Sequence, residues 1–513
     1  MLPCVILGIM KMWEGREMIR TPEQYVESLR DGRVIYLNGE RVADITTHPA
    51  FRGSINARAY SYALCNHPRF RDLLTVEEEG ERFLFLWKQP KTREDLIRRR
   101  DVYITCMRWG AAMSGMGPDA LAASGVVAAR MDKALGTHYT EAVEDYREHL
   151  RKNDPAITGA ITDVKGNRGL RPSVQEQHKD FYVRVVDRQK DGIVVRGAKM
   201  HISATPTANE LIVSPCRAHR EEDKDYAVVF ATPINAPGVK LITCPPLYPE
   251  TGEEAEWNWP ASGRSGGVSE CMIVFDDVFV PWNRVFMCGE WQFSRDQAWM
   301  FGVFHRIFGT CHKVISTEEA AGVAALMAEY NGIDRYPHIQ EKLAWLAMHA
   351  NMVDAMSRAA CENPDYFPDI GLAAPNLMYT NIAKYIFANE QHEMSKLVAD
   401  ITGGLIATVF TYKDWNNPEE RPYIEKYLAG KNGVPTEHRL KAIRLAKDLT
   451  GHNHDGAFIH TEGSLAAQKM AMYAGANWER YKAIAKRIAG IPGWEEHPDL
   501  KDLPPWPPEW VIQ

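Results

Sequence analysis

The spacing of apolar residues changes twice along this chain, from helical to alternating and back to helical, and that order limits the folds open to it. From Thr21 to about Leu150 the pattern is mostly helical. Thr21-Pro22 sets a capping residue before a proline at the first helical position, and apolar residues recur at helical spacing over 92–113 and 118–135. From about Pro155 to Cys288 the period falls to two. Residues 181–186 alternate, Lys190-Asp191-Gly192 supplies a hairpin turn, and 193–196 return as the partner strand. Residues 226–231 and 271–275 read as further strands, closed by proline or by Asp276-Asp277. Helices return from about Ser294 to Ile491. Ser316-Thr317-Glu318-Glu319 reads as a capping box that opens a helix at Ala320, and 377–401 is a long one-sided helix stopped at Gly403-Gly404.

These changes predict an α+β chain in five segments. Residues 1–20 form an extension, 21–154 an N-terminal helical domain, 155–290 a central antiparallel β-barrel or sandwich, 291–491 a C-terminal helical bundle, and 492–513 an extended tail rich in proline and tryptophan. The opening residues lack a basic stretch before their apolar run, so the reading is an extension ahead of Met18 rather than a signal peptide.

Composition narrows the function classes. A net charge of −7 offers no basic field for nucleic acid, and no apolar run reaches the roughly 18 residues of a membrane span. Nine scattered cysteines form no CxxC, which fits reduced thiols in a cytoplasmic protein. No GxGxxG follows a strand and opens a helix, so a Rossmann mode of dinucleotide binding is not indicated.

Several segments, in order, carry a resemblance. They are Tyr36-Leu37-Asn38-Gly39-Glu40-Arg41-Val42 with Thr47-His48-Pro49; Ala160-Ile161-Thr162-Asp163-Val164-Lys165-Gly166-Asn167-Arg168; Gly192 to Lys199; Val274 to Trp282; and Asp414-Trp415-Asn416-Asn417-Pro418. Together they make the chain similar, from about Thr21 to Ile491, to the flavoprotein family that holds 4-hydroxyphenylacetate 3-monooxygenase and 4-hydroxybutyryl-CoA dehydratase. The resemblance implies an acyl-CoA dehydrogenase-like fold, FAD (or FADH2) as cofactor, and a homotetramer, which the apolar faces of the C-terminal helices also favour. Lys165, Gly166, Asn167 and Arg168 are then the flavin loop, offering two cations, a glycine and an amide to a pyrophosphate. Ser203, Thr205, His454 and Gly456 join them as flavin contacts. Taken alone, the tetrapeptide reads as a solvated turn and the hydroxyls as strand-end groups.

Catalytic candidates follow from the same resemblance: Arg108 to orient substrate, with Glu270, His305 and Glu462 as acid–base groups, and Lys313 at a further matching position. The chain departs from both branches. Where the monooxygenases place a tyrosine and a histidine on the phenol, it has about Ala111 and Gly159. Where the dehydratases hold a [4Fe–4S] cluster, it has no cysteine from Met113 to Asp119, and His312 follows Cys311, so the thiolates of a standard cluster are missing. The favoured expectation is the oxygenase component of a two-component monooxygenase, which hydroxylates a small aromatic with reduced flavin from a separate reductase. The alternatives are an oxygen-independent flavoenzyme on an acyl-CoA substrate and a flavin-binding oligomer without catalysis.

Overall fold

The computed structural model describes residues 19–113, 115–244, 250–260, 269–451, 459 and 462–501. Thr21 caps helix Pro22–Glu27 through a reciprocal bond with Gln24. Strands β1 (Val34–Leu37) and β2 (Glu40–Val42) follow, joined by Asn38-Gly39, both at positive φ as the tight hairpin turn demands. Helices Pro49–Asn66 and Pro68–Leu74 lead to a second hairpin, β3 (Thr75–Glu78) and β4 (Glu81–Leu84), and then come helices Arg93–Arg108, Met116–Leu135 and Tyr139–Asn153.

The strands that follow are β5 (Ile157–Ala160), β6 (Arg184–Arg188), β7 (Gly192–Ser203), β8 (Glu210–Val213), β9 (Val228–Pro233), β10 (Val239–Thr243), β11 (Glu270–Pro281) and β12 (Val285–Cys288). They form two sheets, ordered β2-β1-β10-β11-β7-β6 and β12-β9-β8-β5. Of the expected antiparallel barrel or sandwich, the two facing sheets agree with the sandwich: among the described residues no sheet closes on itself, but the pairing is not wholly antiparallel, since each sheet contains one parallel pair, β1 with β10 and β5 with β8. The reason is connectivity. β1 and β5 enter from the helical N-terminal part, so neither is tied by a hairpin to its parallel partner. Inward residues of both sheets, among them Val195, Ile273 and Phe275 from one and Leu211, Val213 and Phe230 from the other, share one core, and the rings of Phe230 and Phe275 meet edge to face at 5.8 Å. β11 does not stop at Asp276-Asp277. It runs on to Pro281 past a bulge at which Asp277 takes φ +54.

Helix Ser294–Tyr330 runs 37 residues without a break, which corrects the expected start at Ala320. The hydroxyls of Ser316 and Thr317 bond back to the carbonyls of His312 and Lys313 and cap nothing. This helix packs with Pro337–Glu362, Leu377–Thr402 and Thr436–Gly451, and its core continues into helices Arg93–Arg108 and Met116–Leu135. Arg100, buried on Arg93–Arg108, pairs with Asp354 and donates to Ser357 of the bundle at 3.0 Å. Asp154 ends helix Tyr139–Asn153 at φ +41. Its carbonyl accepts from the Tyr62 hydroxyl and its carboxylate from the Trp87 indole, so β5 starts from a fixed point. No described helix is long and apolar enough to cross a membrane.

Candidate active site

One stripe of helix Ser294–Tyr330 carries Gly302, Arg306, Gly309 and Lys313, whose spacing aligns them on a single face. Gly309 is required there. A Cβ at that position would lie 2.2 Å from Cδ of Glu462, so only a residue without a side chain lets that carboxylate rest on the helix. Glu462 Oε2 accepts from Lys313 Nζ at 2.6 Å, and the same ammonium donates to the Gly309 carbonyl at 3.1 Å. Burial would raise the Glu462 carboxyl, but the charge of Lys313, with His305 and Lys384 behind it, holds it down at about 2. Lys384, on helix Leu377–Thr402, donates to the Ile459 carbonyl at 2.9 Å. Burial, helped by the Lys313 charge, pulls its ammonium down to about 7.

Arg306 sits one turn before Gly309. Its Nε is buried without a hydrogen-bond partner, and burial lowers its guanidinium against the opposing pull of Glu462. Gly302 gives it room, since a Cβ there would come within 3.2 Å of Arg306 Nη1. His305, the adjacent residue, is buried with Nδ1 3.1 Å from Asp119 Oδ2, and its ring stacks between Phe301 (4.9 Å) and Phe308 (5.4 Å). Asp119 also accepts from the Tyr103 hydroxyl at 3.3 Å and lies 3.4 Å from Arg99. A carboxylate so placed holds the imidazole in one orientation and one tautomer.

A second group lies where β7 meets β11. Ser203 Oγ donates to Glu270 Oε1 at 2.6 Å, and burial pushes the Glu270 carboxyl up while Ser203 opposes it. Thr205 is fully buried and donates to the Ile202 carbonyl at 3.1 Å, so its hydroxyl is engaged within the turn. Beyond β5, Lys165 and Gly166 both take positive φ, and a Cβ at 166 would lie 2.5 Å from the Phe181 ring and 2.6 Å from Gln175. Asn167 exchanges bonds with Gln175 on both sides of its backbone, at 3.0 and 2.9 Å, and its side chain accepts from Gly169 N–H at 3.0 Å. Asn167 therefore shapes the loop, leaving half-buried Lys165 and exposed Arg168 without an ion pair among the described residues. Two cations thus flank a turn in which position 166 has no room for a side chain, an arrangement able to receive an anion.

Residues 21–287 match the family described as 4-hydroxyphenylacetate 3-hydroxylase N terminal, and residues 294–490 match its C-terminal counterpart. The chain belongs to the 4-hydroxyphenylacetate 3-hydroxylase family. Among its relatives, the 4-hydroxyphenylacetate 3-monooxygenase oxygenase component of Thermus thermophilus is 33% identical, over 84% of this chain and 89% of the relative. The 4-hydroxybutyryl-CoA dehydratase/vinylacetyl-CoA-Delta-isomerase of Clostridium aminobutyricum is 31% identical, over 92% of this chain and 100% of the relative. A crystal structure of an oxygenase component complexed with FAD and 4-hydroxyphenylacetate superposes with a TM-score of 0.83 at 30% identity, covering 91% of this chain and 98% of that one.

Within this hydroxylase-family chain, the residues singled out from sequence fall into separate places. His305, Lys313 and Glu462 come together on the long helix. Ser203 and Glu270 meet in the sheet, where burial raises the Glu270 carboxyl and Ser203 opposes the rise. Arg108 is half-exposed at the end of its helix, with Nη2 2.6 Å and Nε 3.2 Å from Glu318, and joins neither group. His454 and Gly456 lie outside the described residues. Ala111 is buried, and a Cβ on Gly159 would lie 3.3 Å from the Met116 carbonyl oxygen and 3.5 Å from its side chain. The Cys106 thiol lies 3.8 Å from the Met113 sulfur and the Cys311 thiol 3.9 Å from the Arg100 carbonyl. No three His, Cys, Asp or Glu side chains among the described residues are grouped to hold a metal. The sequence reading missed Asp119, Arg306 and Lys384. Arg306 and Lys384 each interrupt an apolar run within a helix, and such interruptions were the available signal.

Proposed function

We propose that this chain is the oxygenase component of a two-component flavin monooxygenase, taking reduced FAD from a separate reductase to hydroxylate a small aromatic. The observation that carries this over the dehydratase reading is the donor set. Cys106 and Cys311 are buried among other partners, so a [4Fe–4S] cluster lacks its thiolates and no step is routed through one. FAD would be held by Lys165, the Gly166 turn and Arg168, with Ser203 at the ring side. Bound and reduced, it supplies two electrons to dioxygen. His305, fixed by Asp119, and Glu462, held ionised by Lys313, would manage protons at the reacting phenol. Glu270, whose carboxyl is pushed up by burial, would serve as a further acid–base group, and Arg108 would orient substrate after release from Glu318. His454 and Gly456 would approach the flavin from the end of the bundle.

Residues 21–154, 155–290 and 291–491 would act as the working units. Exposed Met470, Tyr473, Trp478, Tyr481, Ile488 and Ile491 support assembly into a homotetramer, and the cytoplasm suits the free thiols. One feature favours a second reading, an oxygen-independent reaction on an acyl-CoA: His305, Lys313, Glu462 and Glu270 are all kept as acid–base groups in this chain.

The test is to load the protein with FAD, reduce it without oxygen, and mix it with oxygenated buffer and a panel of phenols. Catechol formation is expected. Flavin reoxidation without catechol, together with anaerobic turnover of an acyl-CoA, would transfer the assignment to the second reading. Retained FAD with no product from either panel would leave a flavin-binding oligomer.

A further inference from the structure

Most of the long buried or half-buried arginines in this chain have an evident partner. Arg99 lies 3.4 Å from Asp119 and donates to the Leu86 carbonyl, Arg100 pairs with Asp354, Arg147 pairs with Glu144 at 3.1 Å, and Arg444 donates to the Phe410 carbonyl. Arg58, whose Nε also lacks a partner, faces Asp154 across a small cavity within the N-terminal part. Arg306 differs from all of these. It lies on the stripe that carries Glu462 and Lys313, yet Glu462 is bonded to Lys313, and Arg306 forms no ion pair among the described residues. Its Nε is out of contact with water.

A guanidinium cannot shed its proton to escape such a place, so its charge needs an acceptor. Glu462 is the carboxylate that pulls on Arg306, and it is already engaged by Lys313. We infer that Arg306 is a specificity-determining residue that takes an anionic oxygen group of the bound ligand in its planar fork. The group is a carboxylate or a phosphate, chemically alike in offering two oxygens to two parallel N–H donors. This rests on the flavin-enzyme reading above and names a residue that the reading leaves unused. Gly302 belongs to the same device, because a side chain there would crowd Nη1.

Three pairs of probes separate the sources. Each sets an anionic ligand beside a neutral relative: FAD against riboflavin, coenzyme A against pantetheine, and, on FAD-loaded protein, 4-hydroxyphenylacetate against its amide. Calorimetric titration of the wild type and of Arg306→Gln is expected to show one anionic probe weakened about 10- to 100-fold, with its neutral relative unchanged. The pair affected identifies the source of the anion. Arg306→Lys keeps the charge and loses the fork, and is expected to fall between. Thermal melts matching the wild type exclude misfolding as the cause. If wild type binds FAD and neither variant alters any anionic–neutral gap, this inference alone fails. If wild type binds neither FAD nor any other probe, the flavin reading fails with it.

Discussion

Two buried lysine–carboxylate pairs in this chain are built differently. In the central sheets, Lys199 Nζ donates to Asp163 Oδ1 at 2.5 Å and to the carbonyls of Ile161 and Ser214 at 3.0 and 2.8 Å, while Asp163 Oδ2 accepts from the Cys216 thiol at 3.1 Å. Each of the three ammonium protons has an acceptor, and one positive charge meets one negative charge. On the long helix, Lys313 and Glu462 are as close, but Glu462 also feels His305 and Lys384 and pulls on Arg306, so one carboxylate is shared among several basic groups. The first pair is closed and fixes the strand that leads into the 165–168 loop. The second is a network that draws side chains of the long helix and of helix Leu377–Thr402 toward one carboxylate. Matching distances therefore conceal different surroundings, and the groups around each pair tell them apart.

The largest test of this contrast is on stability. Lys199→Met strands Asp163 in the interior and is expected to cost about 3–5 kcal/mol, whereas Lys313→Met leaves Glu462 beside two other cations and should cost about 1–3 kcal/mol. Equal losses in urea unfolding would erase the distinction. Gly309→Ala forces Glu462 off the helix and is expected to cost about 1–3 kcal/mol through overcrowding, with a matching loss of turnover. Unfolding of this variant at wild-type urea would show that Glu462 has another seat.

The third test is pH. Because burial lowers the folded ammonium of Lys384 to about 7 from 10.5, the unfolded chain binds the extra proton between those values, so stability rises with pH across that window. Lys384→Met should flatten that slope in melts run from neutral to alkaline buffer. The Glu462 pair behaves in the opposite range. Its contribution is present above the usual carboxylate value of 4.5 and disappears as pH falls toward about 2. The smallest effect is expected at Arg108→Ala, whose half-exposed pair with Glu318 should contribute less than about 1 kcal/mol. A larger loss would mark that pair as more than a surface contact.

Much of the chain was legible before any coordinates. The hairpin through Asp191-Gly192, the cap at Thr21 and the stop at Gly403 follow from local chemistry, because each depends on residues within a few positions. The parallel pairings of β1 with β10 and β5 with β8 were not legible, since partners some 50 to 200 positions apart leave no periodic trace. The false helix start at Ser316 shows the reverse error: a good local motif is overridden when apolar contacts on both sides favour an unbroken helix. In the site, the family resemblance marked His305, Lys313 and Glu462. It could not mark the seat that Gly309 provides or the lack of an ion pair at Arg306 among the described residues, because both depend on what comes close in space. Arg108 teaches the same lesson, since its position at a helix end gave no sign of Glu318 opposite.

Gly159 and Met116 constrain each other. An alanine at 159 needs only a few tenths of an ångström from Met116, but an imidazole there would have to displace that residue. A histidine at 159 is therefore blocked while Met116 stays, and shortening Met116 alone opens a void. The two positions form a lock that single substitutions do not open, so the space between helix Met116–Leu135 and β5 changes only when both residues change together.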